Sequence, residues 1–230
     1  MKVAVLFSGG KDSAFAAYVA MQHGWGISHF VSVLSESDSS YMFHVPNVHL
    51  TPMLAEAAGI AFVGVRTKGE KEKELKDLKA ALAGLDVDGV VSGAVASEYQ
   101  RTRIERICEE MGIKSFAPLW HKDPKLLVRD IIDALFDVRI VGVFAEGFGA
   151  SWLGRKLDES AFADLCKLNE KYGVSVSGEG GEYESLILDC PIFKKRLEII
   201  ESLPEWRGSN GVFRITKARL VAKSEESDEW

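Results

Sequence analysis

The sequence predicts an α/β protein: a doubly wound parallel sheet with a second, smaller α/β domain. Three observations predict it. Through the first half of the chain, short apolar runs alternate with amphipathic helical stretches over four rounds. The first run passes through a glycine turn straight into a helix, an order that aims backbone N–H groups and a positive helix end at one spot. Near Pro118-Leu119-Trp120-His121 the rhythm breaks, and the end of the chain reads as β-rich. The expected divisions are 1–122 for the nucleotide-binding domain, 123–222 for the smaller domain, and 223–230 for a frayed acidic tail.

Each element has its own signal. Val3 to Phe7 reads as a buried strand, and Ala14 to Met21 as a helix apolar almost all round, stopped by Gly24. Ile27 to Leu34 is a second strand, ending in the polar stretch Ser35 to Ser40. Thr51 as cap and Pro52 as first helical residue open a helix that Gly59 closes. Ile60 to Val65 is a third strand. Gly69 to Gly84 is a surface helix with Leu75, Leu78 and Leu82 on one stripe. Gly89 to Val91 is a fourth strand, followed by a helix from Ser97 to Met111. Later, Lys125 to Phe136 and Glu159 to Tyr172 read as helices begun by Asp123-Pro124 and capped by Asp158. Arg139 to Ala145, Ser185 to Leu188, Lys195 to Glu201 and Gly211 to Val221 read as strands.

Composition excludes several classes. Of the 230 residues 47% are hydrophobic, ample for a core, yet no apolar run approaches the ~20 residues a membrane helix needs. Met1-Lys2-Val3 runs directly into strand without a signal peptide, so a cytoplasmic location is expected. Cys108, Cys166 and Cys190 are far apart and lack CxxC spacing, which argues against a disulfide frame and structural zinc. Cys108 and Cys166 fall in apolar helical phase and read as core. A net charge of −6 weighs against a nucleic-acid partner, whose phosphates call for clustered Lys and Arg. Few amides (Asn47, Asn169, Asn210, Gln22, Gln100) beside abundant Glu and Lys suit a thermophile.

The turn after the first strand is Ser8-Gly9-Gly10-Lys11-Asp12-Ser13. It is not a Walker A loop, since Val5 and Asp12 stand where a glycine and a Ser or Thr are required, and it does not fit GxGxxG. The glycines allow close approach of a ligand to the backbone, Lys11 adds a point charge, and Ser8 and Ser13 add hydroxyls. Asp12 either takes a metal ion or caps the helix. Because strand ends carry the ligand loops in open α/β sheets, Ser35 and Gly93 are expected at the same crevice. Arg101 and Arg103 diverge on their helix by about 200°. One site is therefore not expected to use both fully: Arg101 is favoured near phosphate or a substrate carboxylate, Arg103 is the lesser, substrate-binding candidate, and Tyr99 and Gln100 are either polar contacts or packing. Glu182 and Glu184 share a face if their run is extended, with Tyr183 opposite. An acidic glycine run is a poor phosphate cradle, so Glu179, Glu182, Tyr183 and Glu184 are read as substrate-binding. His44 is either a base or a contact for substrate.

The hexapeptide resembles the PP-loop of the ATP pyrophosphatases, which split ATP into AMP and pyrophosphate to adenylate a substrate, on an adenine nucleotide alpha hydrolase-like fold. Four stretches together resemble one family of them, the diphthine–ammonia ligases: residues 8–13; Leu34-Ser35-Glu36 with Tyr41-Met42-Phe43-His44; Gly93 through Ser97-Glu98-Tyr99-Gln100-Arg101-Thr102-Arg103 to Trp120; and Gly178 through Ser185 to Asp189-Cys190-Pro191. The resemblance implies the last step of diphthamide synthesis on translation elongation factor 2. There a carboxylate becomes an amide through an acyl-adenylate, with ATP, Mg²⁺ and ammonium consumed or bound. It implies that Lys11, Asp12 and Arg101 serve catalysis, and that Tyr183, Trp120 and Trp152 are candidates to face the substrate's quaternary ammonium. No cysteine nucleophile motif for glutamine hydrolysis is present, so free ammonium is the expected nitrogen donor. The rivals are another AMP-forming PP-loop ligase, a tRNA-modifying enzyme, and an ATP-binding regulator without turnover.

Overall fold

The computed structural model describes residues 1–35, 46–67 and 71–223. Five parallel strands form the first sheet: β1 (Lys2–Leu6), β2 (Gly26–Ser35), β3 (Ala61–Thr67), β4 (Gly89–Val91) and β5 (Lys114–Phe116), in spatial order β3-β2-β1-β4-β5. The chain therefore builds outwards from β1 in one direction and then returns to its other side. The reversal lies between β1 and β4, and in open α/β sheets the crevice at that reversal, above the strand C-termini, is where ligands bind.

Four helices cover this sheet. They are α1 (Lys11–Gln22), α2 (Thr51–Ala58), α3 (Lys71–Ala83) and α4 (Glu98–Met111). Alternation along β1 sorts its side chains. Ala4 faces Leu78, Leu82, Ile104 and Cys108 of α3 and α4, whereas Val3 and Val5 face the side occupied by α1 and α2. Burial on both faces explains why these strands read as continuous apolar runs.

The second part holds α5 (Pro124–Asp133), β6 (Asp137–Val143), α6 (Glu159–Tyr172), β7 (Tyr183–Asp189), β8 (Lys195–Arg207) and β9 (Asn210–Ala222). Its sheet is antiparallel, ordered β7-β6-β9-β8. One apolar cluster runs from Val5, Ala14 and Ala17 through Leu127 and Ile131 to Ile140 and Leu186. Helix α1 is thus walled by both sheets, and this is why its sequence is apolar almost all round.

Several expectations change. The fifth strand went unread because Lys114-Ser115-Phe116 is too short and too polar to give a run. The last two strands are longer than their apolar stretches, forming a hairpin closed by Gly208 and Ser209, with Pro204 tolerated on the edge strand. Leu50, not Thr51, caps α2: a 3₁₀ turn leads into the helix, and the Thr51 hydroxyl donates to the Val48 carbonyl at 2.8 Å. Lys223 is not frayed. Its ammonium pairs with Asp189 at 2.8 Å and donates to the Cys190 carbonyl at 2.8 Å. The remainder of the expected tail, 224–230, lies outside the described residues. Ser97, Asp123 and Asp158 accept backbone hydrogen bonds at the starts of α4, α5 and α6. Cys108 is buried, and Cys166 is half-buried against the core.

Candidate active site

A cleft of about 380 Å³ opens at the reversal between β1 and β4. The loop after β1 forms one wall, and Ser92, Gly93, Ala94 and Ser97 after β4 form the next. Gly178, Glu179, Tyr183, Glu184 and Ser185 of the second domain close it.

The loop is tightly organised. Gly9 sits at φ +81°, a conformation glycine adopts without strain. The Gly10 amide donates to Ser8 Oγ at 3.3 Å, and the Ser13 hydroxyl donates to the Gly10 carbonyl at 3.0 Å. Ser8 Oγ and Ser13 Oγ lie 3.2 Å apart, so the two hydroxyls brace the turn as well as facing the cleft. Gly93 is confined by close approach: a Cβ there would stand 2.7 Å from the Ser13 nitrogen and 2.8 Å from the Asp12 carbonyl carbon.

Lys11 is the buried charge of the site, 3% exposed, with its Nζ 2.7 Å from Asp12 Oδ2 and 5.2 Å from the centre of the Tyr183 ring. Burial disfavours its charge, but Asp12, Tyr183 and Glu179 outweigh burial and hold its pKa above the ordinary lysine value. It remains an ammonium at any working pH. Gly10 occupies the cap position of α1, so Asp12 lies inside the first turn and does not cap the helix. Its second oxygen, Oδ1, is buried and takes no hydrogen bond from any described residue. An orphaned carboxylate oxygen beside a phosphate-type loop fits a hard divalent cation that keeps most of its ligands as water and phosphate. Among the described residues no group of three or more His, Cys, Asp or Glu forms a ready-made metal cage.

Two glutamates face this lysine from the second domain. Burial pushes the Glu184 carboxyl up to about 7, with Lys11 opposing. Glu179 is raised as well, by burial and then by Asp12, while Lys11 and a hydrogen bond from the Ala96 backbone oppose.

The expected residues divide into three groups. Ser8, Gly10, Lys11, Asp12, Ser13, Gly93, Gln100, Glu179, Tyr183 and Glu184 line one cleft, with Gly9 at the turn behind them. Glu182 does not: residues 178–182 form turns and not a strand, and its carboxylate folds back to accept from the Ser175 amide at 2.9 Å and the Gly180 amide at 2.8 Å. The shared face of Glu182 and Glu184 required an extended run, and the strand begins only at Tyr183, so that condition is not met. Tyr183 is 3% exposed and donates its hydroxyl to the Val176 carbonyl. On α4, Arg101 is held by Glu98 and Glu105 and stacks 4.6 Å over Trp120, while Arg103 stacks on Tyr99. None of Arg101, Arg103, Tyr99 or Trp120 is among the cleft-lining residues. Trp152 is core, edge-on to Phe148. His44 lies outside the described residues, and Ser35 is described only as the end of β2. What sequence reading missed is the role of Ser185, named there only as part of a stretch and a strand start, whose Oγ accepts from the Lys11 amide at 3.2 Å.

Comparison with known proteins agrees across both parts. The family model described as the diphthamide synthase N-terminal domain matches residues 1–115, and that of the diphthamide synthase C-terminal domain matches residues 123–221. A diphthine–ammonia ligase of Danio rerio is 33% identical over 253 residues, covering 98% of this chain and 98% of its own length. The Rattus norvegicus protein of that name is 33% identical over 222 residues, with 86% of this chain and 83% of its own covered. A longer Schizosaccharomyces pombe relative is 32% identical over 259 residues, which is all of this chain but 41% of that protein. Matched by both domain models, and over 98% of its length by the Danio rerio protein, the chain belongs to the diphthamide synthase (diphthine–ammonia ligase) family.

Proposed function

We propose that the protein is a diphthine–ammonia ligase that amidates diphthine on translation elongation factor 2, using ATP and ammonium and releasing AMP and pyrophosphate. The observation that carries this reading is the buried Lys11 ammonium at the start of α1, beside a glycine turn, at the sheet's reversal point.

A carboxylate is a poor electrophile because hydroxide or oxide would have to leave. Transfer of AMP onto it, with pyrophosphate departing, makes an acyl-adenylate that ammonia attacks with AMP as leaving group. The enzyme's task in the first step is to bind charge as it gathers on pyrophosphate. Lys11 supplies a fixed positive charge there, and its burial strengthens the attraction. The positive end of α1 and the Ser8 and Ser13 hydroxyls add to it. Asp12 Oδ1 would hold Mg²⁺, and the ion when bound would neutralise phosphate charge. Tyr183 and Glu184 line the cleft from the second domain, and a substrate-binding role for them is supported by the attraction of aromatic faces and carboxylates for a quaternary ammonium.

Two of the three thiols, both buried, support ammonium as nitrogen donor. Burial pushes Cys108 up to about 11 and Cys190 up to about 12, so neither is a ready thiolate for glutamine hydrolysis. The direct test combines ATP, ammonium and diphthine-bearing elongation factor. AMP formation with a mass change of acid to amide is expected, and equal turnover on glutamine with ammonium removed would contradict the donor.

A further inference from the structure

We infer that strand β7 of the second domain sets the conformation of the nucleotide loop, and that Ser185 is the positioning residue through which it does so. The inference rests on the reading of residues 8–13 as the ATP site.

Among the described residues, β7 lies at the end of its sheet and pairs as a strand with β6 alone. Its other edge meets the loop. The Ile187 amide donates to the Gly9 carbonyl at 2.9 Å, and the Lys11 amide donates to Ser185 Oγ at 3.2 Å. The partners rise by two on the loop as they fall by two on the strand, the spacing of an antiparallel pair. The loop thus lies along the edge of β7 through one backbone bond and one to the Ser185 side chain. Between the two bonds Gly10 lies against β7 so closely that a Cβ would be 3.3 Å from the Ser185 carbonyl oxygen and 3.7 Å from its hydroxyl.

This pairing addresses a weakness of the loop. Two adjacent glycines sample a wide range of conformations, and the first amides of a helix have no partner within it. Ser185 takes the first of those amides and the Ile187 amide fixes the carbonyl two residues earlier. The second domain therefore shapes the phosphate site before nucleotide arrives. On the same strand, Tyr183 and Glu184 line the cleft, so one element carries both substrate-facing groups and the loop's support.

The test uses the whole protein and three variants. Ser185→Ala should raise the KM for ATP about fivefold, the loss of one hydrogen bond, while the KM for ammonium stays within twofold. Ser185→Thr, which keeps the hydroxyl, should restore the ATP KM to within twofold. Hydrogen exchange on the nucleotide-free protein should show the Lys11 amide protected in wild type and exchanging faster in Ser185→Ala. An unchanged ATP KM in Ser185→Ala, or Ser185→Thr as impaired as Ala, overturns the proposal. Should Ser185→Ala fail to fold, an unprotected Lys11 amide in wild type overturns it and a protected one supports it. Lys11→Ala serves as the separate control. If that variant turns ATP over normally, the ATP-site reading fails, while the exchange data still report on the pairing.

Discussion

The two sheets handle water differently. In the first, Val3, Ala4, Val5, Val90 and Val91 are all 0% exposed, and helices cover both faces. In the second, the β8–β9 hairpin leaves Ile200 and Leu203 open to solvent and is laced by cross-strand pairs, Glu198 with Arg219, Glu201 with Lys217 and Glu205 with Arg214. Exposed pairs of this kind contribute little each. The buried sheet fixes a rigid reversal point. The half-wet sheet contributes a well-buried strand, β7, where it meets that point. The cleft lies at the seam, and its charged lysine comes from one side while its two raised glutamates come from the other.

The comparison is broken most severely by Lys11→Ala, which removes the first domain's charge. Turnover to AMP should fall by at least about a hundredfold, in the range for losing a stabiliser of developing charge. Circular dichroism should show the fold retained. Activity within tenfold of wild type would mean that pyrophosphate is held elsewhere. Next comes a matched pair of glycines. Gly93→Ala sets a Cβ 2.7 Å from backbone of the nucleotide loop, so the loop itself must move, costing about 1–3 kcal/mol and raising the ATP KM. Gly142→Ala in the second sheet meets the Phe144 ring, 2.8 Å away on a half-exposed side chain that can swing aside, and the Glu184 Cβ at 3.3 Å, which need give only a few tenths of an ångström. Its cost should stay below about 1 kcal/mol, with the ATP KM unmoved. Thermal melts and ATP titrations on the two variants check both. Glu182→Ala should cost about 2 kcal/mol in melting experiments, because the Ser175 and Gly180 amides lose their acceptor. Loss of affinity for the elongation factor without loss of stability would restore Glu182 as a substrate contact.

What could be read in the sequence follows the same division. The hexapeptide at the end of β1 was legible because strand, glycine turn and helix are contiguous, and α1 was legible as buried because no face of it is polar. Residues 178–182 were not. A period-of-two argument presumes a strand, but Gly178 and Gly181 take φ of +74° and +81° and turn the chain, freeing Glu182 to bond its own loop. Arg101 illustrates another limit: direction on a helix does not by itself put a side chain in a site, and here Glu98 three residues before and Glu105 four after hold the guanidinium along the helix. The contact of Ser185 with Lys11 carried no local signal, since the two are 174 residues apart.

The smallest effect expected concerns the second domain's carboxylates. The Glu184 pKa rises on folding from an ordinary 4.5 to about 7. Between those values the folded state binds a proton that the unfolded chain releases, so this group's contribution is fully present below about pH 4.5 and is lost as pH climbs towards 7. The nucleotide-free protein should therefore melt lower at pH 8 than at pH 5 on account of Glu184, and Glu184→Gln should flatten that slope. A shift of this size has a ceiling near 3 kcal/mol, and screening by water in the open cleft should leave about 1 kcal/mol, a few degrees of melting temperature. No flattening in Glu184→Gln would place Glu184 in a wetter setting than the cleft provides. Because Lys11 opposes the shift, Lys11→Ala should steepen the slope, and that coupling between a residue of each domain is measurable only if the seam is closed in solution.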